Sequence, residues 1–388
     1  MIKERTWVVI DLGKLRNNFR NIKRYLHDVK ILGAVKAEAY GHGGIEVSKV
    51  LKEEGIDALG VASVEEAVNL KSLGLSIIIL SPTFSFDIPT IVKEGFVPTV
   101  TYTRFADQLG KEAEKQQKKV SIHIEIDTGM GRTGVPYYEA LQFIHEIHNK
   151  RWIKIDGIFT HFAEAESNDK DFTYLQLKRF NHIVNSLGKN GISIPYYHTA
   201  NSAALLDIKS SYFNMIRPGL LLYGLYPKEK KNIEVSPIMS LNTRVCYLKW
   251  IDRGNSVSYG RTYRSKKKTK VATISIGYGD GLPRLLSNKG EVIIRRKRTP
   301  VIGNICMDLT MIDVTDINDV KIGDKVTVIG KDGDEEISAD DVARISQTIG
   351  YEITSNIGPR VPRIYIEKGI PTLRKSLISG NCVSIQSV

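Results

Sequence analysis

The feature that most constrains this chain is an alternation, over about its first 220 residues, of short β-branched runs with helix-like stretches. Eight such runs are present, at 31–37, 58–63, 76–81, 97–102, 121–127, 154–161, 194–200 and 213–219. Helical patterns lie between them, for example at 63–74, 103–119 and 171–191. Strands that alternate with helices form βαβ units and a parallel sheet. Eight of them predict an α/β TIM barrel, because an open doubly wound sheet fits a shorter series.

The pattern changes after about residue 230. A charged segment with a proline near each end (226–237) is followed by strand-like runs at 243–251, 270–278, 291–298, 309–314, 324–330 and 360–369. One helix is predicted among them, over 338–350, and Ser338 with Asp341 forms a capping signal at its start. This part predicts a mostly antiparallel β domain. The expected division is a barrel over 11–232 and a β-rich domain over 233–388, to which residues 1–10 are assigned.

Composition narrows the class of protein. The chain has 388 residues, 42% of them apolar and 25% charged, as in ordinary globular proteins of two or three domains. The apolar run 75–80 is far shorter than the roughly 18–20 residues of a membrane span. Asp11 and Gly13 interrupt the N-terminal stretch where a signal peptide needs apolar residues. The three cysteines, Cys246, Cys306 and Cys382, form no CxxC pair. We therefore predict a cytoplasmic protein without membrane association, disulfide framework or metal site.

The chain is basic, with a formal net charge of +12 and a pI near 9.3. Its densest basic runs are YRSKKKTK (263–270) and RRKR (295–298). Neither contains the interleaved aromatic residues that stack on bases, and no known nucleic-acid-binding motif is present. The charge is therefore interpreted as a solvated surface, and no nucleic-acid partner is predicted.

Reactive side chains recur where the predicted barrel strands end. They are Lys36, Arg132, His161, Asn201, Ser202 and Arg217, followed by Gly219. Barrel enzymes place functional residues at this end, and their last two loops often bind phosphate. A phosphate site opposite a lysine on the first strand suggests pyridoxal phosphate held as a Schiff base by Lys36. A lysine ending an apolar strand is partly desolvated, which lowers its pKa.

Each of these residues also has a purely structural interpretation. Lys36 could lie at the barrel rim with its ammonium in water, and Tyr40 could simply pack. Tyr40 reaches a phosphate only if its segment is helical. His161 could be a hydrogen-bonded core histidine. Arg132, in the glycine-rich loop 127–134, could be solvated instead of gripping a carboxylate.

The ordered motifs identify a resemblance that decides among these alternatives. VKAEAYGHG (35–43), DTGMGRTG (127–134), HTANSAA (198–204), RPGLLLYG (217–224), SYGRTY (258–263), GYGDGLPR (277–284) and ICMD (305–308) follow one another along the chain. In this order they resemble the bacterial alanine racemases that depend on pyridoxal phosphate. The resemblance runs from 7–22 to 360–365, nearly the whole chain.

The resemblance implies a two-base reaction that interconverts L-alanine and D-alanine and supplies D-alanine for peptidoglycan. Lys36 would bind the cofactor covalently and act as one base. Tyr259, from the other subunit of a head-to-tail homodimer, would act as the second base on the opposite face. Arg217 would face the pyridine nitrogen, and His161 would link Arg217 to Tyr259.

The resemblance also implies binding roles. The residues that would hold the cofactor phosphate are Tyr40, Ser202, Gly219, Leu220 and Tyr351. Arg132 and Met307, the latter from the partner subunit, would contact the substrate carboxylate. Tyr278 would narrow the entrance to the site.

Two departures from the family pattern lie near the implied carboxylate site. Glu125 stands where the family usually has a lysine that CO2 can carboxylate, and we hypothesise that its carboxylate orients Arg132. Asn304 and Leu309 flank ICMD where the family more often has arginine and glutamine.

Other functions fit parts of the pattern. A serine or broad-specificity amino-acid racemase of the same family is the main alternative, and a substrate panel separates the two. A pyridoxal phosphate decarboxylase has a similar architecture, but typically places a glutamate where this chain has Arg217. A non-catalytic pyridoxal phosphate carrier is usually the barrel alone, without a second domain or Tyr259.

Overall fold

The fold is described from a computed structural model, which covers residues 3–229, 231–376 and 382–384. Contacts divide the chain into two units. The barrel unit is Leu15–Ala39 with Gly44–Ser236, and the β unit is Met1–Lys14, Tyr40–Gly43 and Pro237–Val388. Among the helices of the described residues, none combines the length and apolar character that crossing a membrane requires.

The barrel unit contains a near-closed sheet of eight parallel strands, as predicted. The strands are Lys30–Ala34, Ala58–Val61, Ser76–Pro82, Val97–Val100, Val120–Asp127, Ile153–Phe159, Tyr196–His198 and Met215–Ile216. The first seven strands pair in chain order, each with the next one, and the eighth strand pairs with the first. An isolated parallel bridge between Asn201 and Arg217 joins the ends of the seventh and eighth strands. A further short strand, Val135–Pro136, pairs with the fifth.

Apolar side chains from different strands fill one layer of the barrel. Leu32, Ala58, Ile78, Val97 and Met215 form one buried cluster, although they come from five strands. Because side chains alternate between the two faces of a strand, each strand gives one set to the interior and the other to the surrounding helices.

Helices follow most of the barrel strands. The helices from the start of the chain to the end of the barrel unit include Leu12–Leu26, Gly44–Glu53, Val64–Leu70, Ile88–Glu94, Thr103–Lys115, Ala140–His148, Asp171–Lys189 and Ser202–Asp207. Two begin at side-chain caps: Ser63 accepts from the Glu66 amide, and Asn201 accepts from the amides of Ala203 and Ala204. These two helices therefore start at loops that follow a strand.

The β unit is mostly antiparallel, as predicted. Its strands are Thr6–Asp11, Met239–Ile251, Ser256–Val257, Tyr263–Arg264, Thr269–Ile274, Glu291–Ile294, Lys297–Pro300, Thr310–Asp313, Lys325–Asp332, Glu335–Ile337, Arg363–Glu367, Ile370–Lys375 and Cys382–Ser384. The first strand pairs antiparallel with Met239–Ile251 and parallel with Arg363–Glu367. The N-terminal strand thus belongs to the β sheet.

The helix predicted over 338–350 is present as Ala339–Ser346, with Ser338 and Asp341 forming the expected capping box. A second helix, Gly350–Ser355, follows it and was not predicted. Its six residues are too few to show an apolar period.

The run 291–298 was wrongly predicted as one strand. It forms two strands that pair as a hairpin, because Arg295 and Arg296 take positive φ values of 51° and 61°. Two arginines of this basic run are paired with acids: Arg295 with Asp324, and Arg298 with Glu291 and Glu335.

The contact division places residues 11–14 and 40–43 with the β unit, whereas the sequence predicted 11–232 as the barrel. The predicted boundaries remain a prediction. Cys246 and Cys306 are free thiols, and the side chain of Cys382 lies outside the described residues.

Candidate active site

Lys36 lies two residues beyond the end of the first barrel strand, in an unusually cationic setting. Burial lowers the pKa of its amine, and the guanidinium groups of Arg132 and Arg217 lower it further, while Glu66 acts in the opposite direction. Among the described residues the Lys36 ammonium has no hydrogen bond or ion pair to compensate for this. A larger fraction of the amine is therefore neutral, and hence nucleophilic and basic, than for a lysine in water.

The chain after Lys36 turns in the left-handed sense. Residues 37–40 have φ values between 52° and 55°, so four consecutive non-glycine residues adopt a conformation that costs roughly 1–2 kcal/mol each. Glu66 helps to hold this turn, since its carboxylate accepts from the amides of Ala37 and Ala62, each at 2.7 Å. Glu38 accepts from the Gly44 amide at 2.9 Å. The helical segment that would carry Tyr40 therefore exists, but with the opposite hand to an ordinary helix.

We expect Ala37→Gly to raise the free energy of unfolding by about 0.5–1 kcal/mol, because glycine adopts positive φ without a steric penalty. Ala37 is exposed, so the substitution removes no buried methyl group. Ala37→Val should lower stability, since a β-branched residue is strained at this φ. Urea unfolding of the three proteins measures both effects, and equal stabilities would contradict the strain.

Arg217 is buried and held by four residues. Its Nη1 donates to His198 Nδ1 at 2.8 Å and to the His198 carbonyl at 2.7 Å. Its Nη2 donates to the carbonyls of Thr160 (2.7 Å) and Thr199 (3.2 Å), and lies 3.4 Å from His161 Nδ1. Burial lowers the pKa of Arg217 to about 10, so the guanidinium is still charged at neutral pH. The hydrogen bonds leave Nε as the side-chain donor without a partner among the described residues.

His161 is uncharged at neutral pH. Burial lowers its pKa to about 3, with further contributions from Arg217, Arg132 and Lys36. Because arginine only donates, His161 Nδ1 accepts, and the ring proton lies on Nε2. Gln176 supports this residue by donating to its backbone carbonyl at 3.0 Å. His161 is thus a hydrogen-bonded histidine and a neighbour of Arg217, and its predicted link to Tyr259 stays a prediction.

Three histidines whose pKa is lowered are expected to make the barrel unit sensitive to acid. Burial lowers the pKa of His123 to about 4 and holds that of His198 well below its ordinary value, as for His161. An unfolded histidine binds a proton near pH 6.5, so the unfolded chain takes up protons that the folded unit does not. Stability should therefore fall as pH falls between pH 7 and 5, by roughly 2 kcal/mol for each of His123 and His161, and His198 should act in the same direction.

Urea unfolding at the two pH values measures this dependence. The variant His123→Asn lacks one of the three groups, so it should lose about a third less stability over the same interval. An unchanged pH dependence in the variant would mean that His123 titrates normally in the folded protein.

Three of the five residues expected to bind phosphate, Ser202, Gly219 and Leu220, lie in the last two loops of the barrel. The Ser202 hydroxyl accepts from the Gly219 amide at 2.9 Å and lies 3.4 Å from the Leu221 amide. Leu220 is between these two residues and opens a 3-10 helix, Leu220–Tyr223. A hydroxyl and two backbone amides are thus grouped in these loops, and such groups can form an anion site.

Glu125 and Arg132 do not form an ion pair among the described residues. Glu125 is buried and accepts a hydrogen bond from the Thr133 hydroxyl at 2.7 Å, while Arg132 is exposed. Burial raises the pKa of Glu125, and the nearby charge of Arg132 lowers it. The carboxylate therefore acts on Arg132 electrostatically, and its orienting role stays a hypothesis.

Within the β unit, the motifs of the second domain come together. Asn304 Nδ2 donates to the Tyr259 carbonyl at 2.8 Å, and the Gly279 amide donates to the Met307 carbonyl at 2.9 Å. Tyr259 and Met307 nevertheless expose 72% and 54% of their surface. Tyr278 is also exposed. Hydrogen bonds thus hold these loops, while the side chains of Tyr259, Tyr278 and Met307 are exposed.

A buried carboxylate that the sequence analysis did not single out fastens these loops. Asp280 accepts from Arg5 Nη2 and Arg360 Nε, both at 2.8 Å, and from the Gly277 amide at 3.0 Å. Arg360 also reaches Asp308 at 2.8 Å. The signal in the sequence was the acidic residue inside GYGDGLPR, whose arginine partners lie 80 and 275 residues away.

Tyr40 and Tyr351 are both in the β unit. Burial raises the pKa of Tyr40 to about 12, and Tyr351 adds to the effect. Arg363, from the motif 360–365, is buried and donates to the carbonyls of Gly41 and Ile357. It thereby binds the short segment that follows Tyr40.

Comparisons with known proteins agree on one family. A family model for the alanine racemase N-terminal domain matches residues 10–227, and one for the C-terminal domain matches 238–365. The alanine racemase of Halothermothrix orenii is 44% identical over 368 residues, covering 94% of this chain and 97% of that protein.

Solved structures give the same result. The alanine racemase of Clostridium difficile 630 superposes with a TM-score of 0.92 at 35% identity, covering 97% of this chain and 100% of that one. The alanine racemase of Bartonella henselae, solved with covalently bound pyridoxal phosphate, has a TM-score of 0.86 at 28% identity, covering 94% of this chain and 100% of that one.

Proposed function

The chain belongs to the alanine racemase family, and we infer from that membership that it is an isomerase that interconverts L-alanine and D-alanine with pyridoxal 5'-phosphate as its cofactor. The observation that supports this function most directly is the amine of Lys36. It lies just beyond the end of a barrel strand, where burial and two guanidinium groups lower its pKa and no described residue forms a hydrogen bond or ion pair with it.

The residues of the barrel unit fit the cofactor. A Schiff base needs a neutral amine, and burial beside two guanidinium groups favours that form of Lys36. A phosphate needs donors, and the Ser202 hydroxyl lies among the amides of Gly219–Leu221. Arg217 keeps its Nε–H available toward a ring nitrogen. Tyr40, Ser202, Gly219, Leu220 and Tyr351 would hold the phosphate, and His161 would support Arg217.

When bound, pyridoxal phosphate supplies the electron sink that acidifies the Cα–H of an amino acid. Racemisation then requires one base on each face of that carbon. We assign Lys36 Nζ to one face, where its lowered pKa makes the neutral, basic amine more available than that of a lysine in water. The hydroxyl of Tyr259 would serve the opposite face.

Arg217 would control the strength of the sink. Its guanidinium is charged at neutral pH and can only donate, so a ring nitrogen facing it stays unprotonated. A carboxylate at that position would instead keep the nitrogen protonated and strengthen the sink. Arg217 would thereby favour prompt return of the proton to Cα over side reactions such as transamination.

We assign substrate recognition to Arg132 and Met307, which would contact the carboxylate of alanine. Tyr278 would narrow the entrance. The exposed guanidinium of Arg132 can make a bidentate contact with a carboxylate. The relatives are named alanine racemases, which favours alanine over the serine or broad-specificity alternative.

A head-to-tail homodimer would complete each site, with Tyr259 and Met307 supplied by the partner subunit. The large exposed fractions of these two side chains support this assembly, because a functional tyrosine and methionine need a covering surface. Sedimentation or gel filtration with light scattering tests it, and an active monomer would contradict it.

We propose that the enzyme acts in the cytoplasm and that its D-alanine enters peptidoglycan. The few scattered cysteines support the reducing compartment. Restored growth of a bacterial D-alanine auxotroph carrying this gene would support the biosynthetic role, and failure to grow despite soluble active enzyme would contradict it.

The direct test is a spectrum followed by an assay. The purified protein should show the visible absorbance band of a pyridoxal phosphate Schiff base, and borohydride should remove the band and fix the label on Lys36. The same preparation should convert L-alanine to D-alanine. A labelled Lys36 with turnover of serine instead of alanine would select the alternative, and absence of the band after incubation with the cofactor would contradict the proposal.

A further inference from the structure

The hydrogen bonds of Arg217 continue into the barrel interior through two histidines. Arg217 Nη1 lies 2.8 Å from His198 Nδ1, and His198 Nε2 lies 2.9 Å from His123 Nδ1. All three side chains are buried, and both histidines are at most 2% exposed. The chain of contacts thus begins at the predicted partner of the cofactor ring and ends on the fifth barrel strand.

Arg217, the first residue in this chain of hydrogen bonds, determines which atom donates and which accepts in each bond. Arginine donates and never accepts, so His198 Nδ1 must be the acceptor. A neutral His198 then carries its proton on Nε2, which donates to His123 Nδ1. His123 is therefore the acceptor that makes this tautomer of His198 favourable. The opposite tautomer would direct an N–H of His198 against an N–H of Arg217.

The rings are also fixed by packing. Phe159 stacks on His198 with ring centroids 4.9 Å apart and planes 11° apart, and the Arg217 guanidinium lies 5.1 Å above the same phenyl ring. Gly157 makes room for His123, because a Cβ at that position would lie 2.7 Å from the imidazole. The fold therefore reserves space for a ring at position 123.

An apolar side chain would be the ordinary occupant of this position. Barrel interiors are filled mainly by branched aliphatic residues, whereas a buried histidine loses its hydration. On the fifth strand, Ile122, Ile124 and Ile126 point to one face, and His123 and Glu125 to the other. The buried His123 ring accepts a hydrogen bond from His198, and we attribute the presence of a polar side chain at position 123 to that contact.

We propose that His123 is a positioning residue that holds His198 in the tautomer that accepts from Arg217, and thereby sets the direction of the Arg217 guanidinium. The inference rests on the proposed function, since Arg217 is the residue assigned to the cofactor ring. His123 itself touches neither substrate nor cofactor in this assignment.

Three variants separate positioning from packing. His123→Asn keeps an acceptor oxygen near the place of Nδ1, whereas His123→Leu fills space without an acceptor. Thr99→Val is the matched control, because Thr99 pairs with His123 in the neighbouring strand and its buried hydroxyl donates to the Ile79 carbonyl. It removes one buried hydrogen bond from the barrel that is not among those joining Arg217, His198 and His123.

The first readout is the tautomeric state of His198 in the cofactor-free protein, from 15N spectra of histidine-labelled samples. Wild type, His123→Asn and Thr99→Val should show His198 protonated on Nε2. His123→Leu should show a mixture of His198 tautomers, or a His198 ring displaced from its wild-type position. A single Nε2–H tautomer in the leucine variant would overturn the proposal.

The second readout is the kinetics of the loaded enzyme. We expect His123→Leu to lower kcat by about 10- to 100-fold, as small misplacements of a positioned group do, with His123→Asn close to wild type. Gly157→Ala should lower kcat similarly, because it displaces the ring without removing it. Equal losses of kcat in His123→Leu and Thr99→Val would mean that His123 acts only through packing, and would contradict the positioning role. If the wild type itself fails to racemise alanine, the proposed function fails, and the spectra still decide the tautomer.

Discussion

Replacing Lys36 with alanine is expected to lower the rate of alanine racemisation by at least about 1,000-fold, within the roughly 100- to 10,000-fold range for loss of a general base. The loss should reach this range because Lys36 is assigned both the covalent attachment of the cofactor and the proton transfer on one face. Its lowered pKa is the property that makes both possible. The rate is measured by coupling D-alanine formation to a D-amino-acid-specific oxidation.

The matched control is Lys30→Ala, at the start of the same strand. Lys30 is exposed and pairs with Asp57 at 2.8 Å, so its loss should leave racemisation unchanged. Borohydride should label residue 36 in the control and leave it unlabelled in Lys36→Ala. Substantial racemisation by Lys36→Ala would remove this residue from the mechanism.

The second large effect is expected from Tyr259→Phe, which removes one hydroxyl and keeps the ring. Racemisation should fall by about 100- to 10,000-fold, because proton transfer on one face loses its acid and base. The remaining base should still exchange the α-proton of the enantiomer whose Cα–H faces it. In D2O, NMR should therefore show deuterium entering one enantiomer of alanine much faster than inversion.

Tyr247→Phe is the control for this variant, since Tyr247 is an exposed tyrosine of the same unit with no assigned role. Equal loss of exchange for both enantiomers in Tyr259→Phe would argue against two bases on opposite faces.

Mixing the Lys36→Ala and Tyr259→Phe proteins tests the shared site. Random exchange of subunits should restore about a quarter of wild-type activity, because half of the dimers then contain one intact site. No recovery despite demonstrated exchange would contradict a site shared between subunits.

Most strands and the long helices were predictable because their signal is local. Thr103–Lys115 and Asp171–Lys189 fall within the predicted segments, since three- and four-residue apolar spacing and strand alternation are properties of neighbouring residues. The hairpin at Arg295 and Arg296 was not predictable in this way. Arginine has no preference for positive φ, so the turn is imposed by strand pairing on either side.

The candidate site also has some properties that the sequence predicts and others that only the structure shows. The positions of Lys36, His161 and Arg217 near strand ends could be read from the chain, because parallel strands of a barrel bring their carboxyl ends to one rim. The protonation states of these groups could not be read from the chain. Burial by residues far away in sequence lowers the pKa of His161 to about 3 and that of Arg217 to about 10.

By itself, the sequence determined the barrel, the β-rich second domain, the family and the residues expected to carry the chemistry, because each depends on local periodicity or on an ordered set of short motifs. Only the tertiary structure decided the left-handed turn after Lys36 and the chain of hydrogen bonds from Arg217 to His123. A left-handed run of Ala and Glu opposes their intrinsic preference, so it exists only where tertiary contacts such as those of Glu66 hold it. The histidine contact joins residues 75 positions apart, and no local pattern encodes that distance.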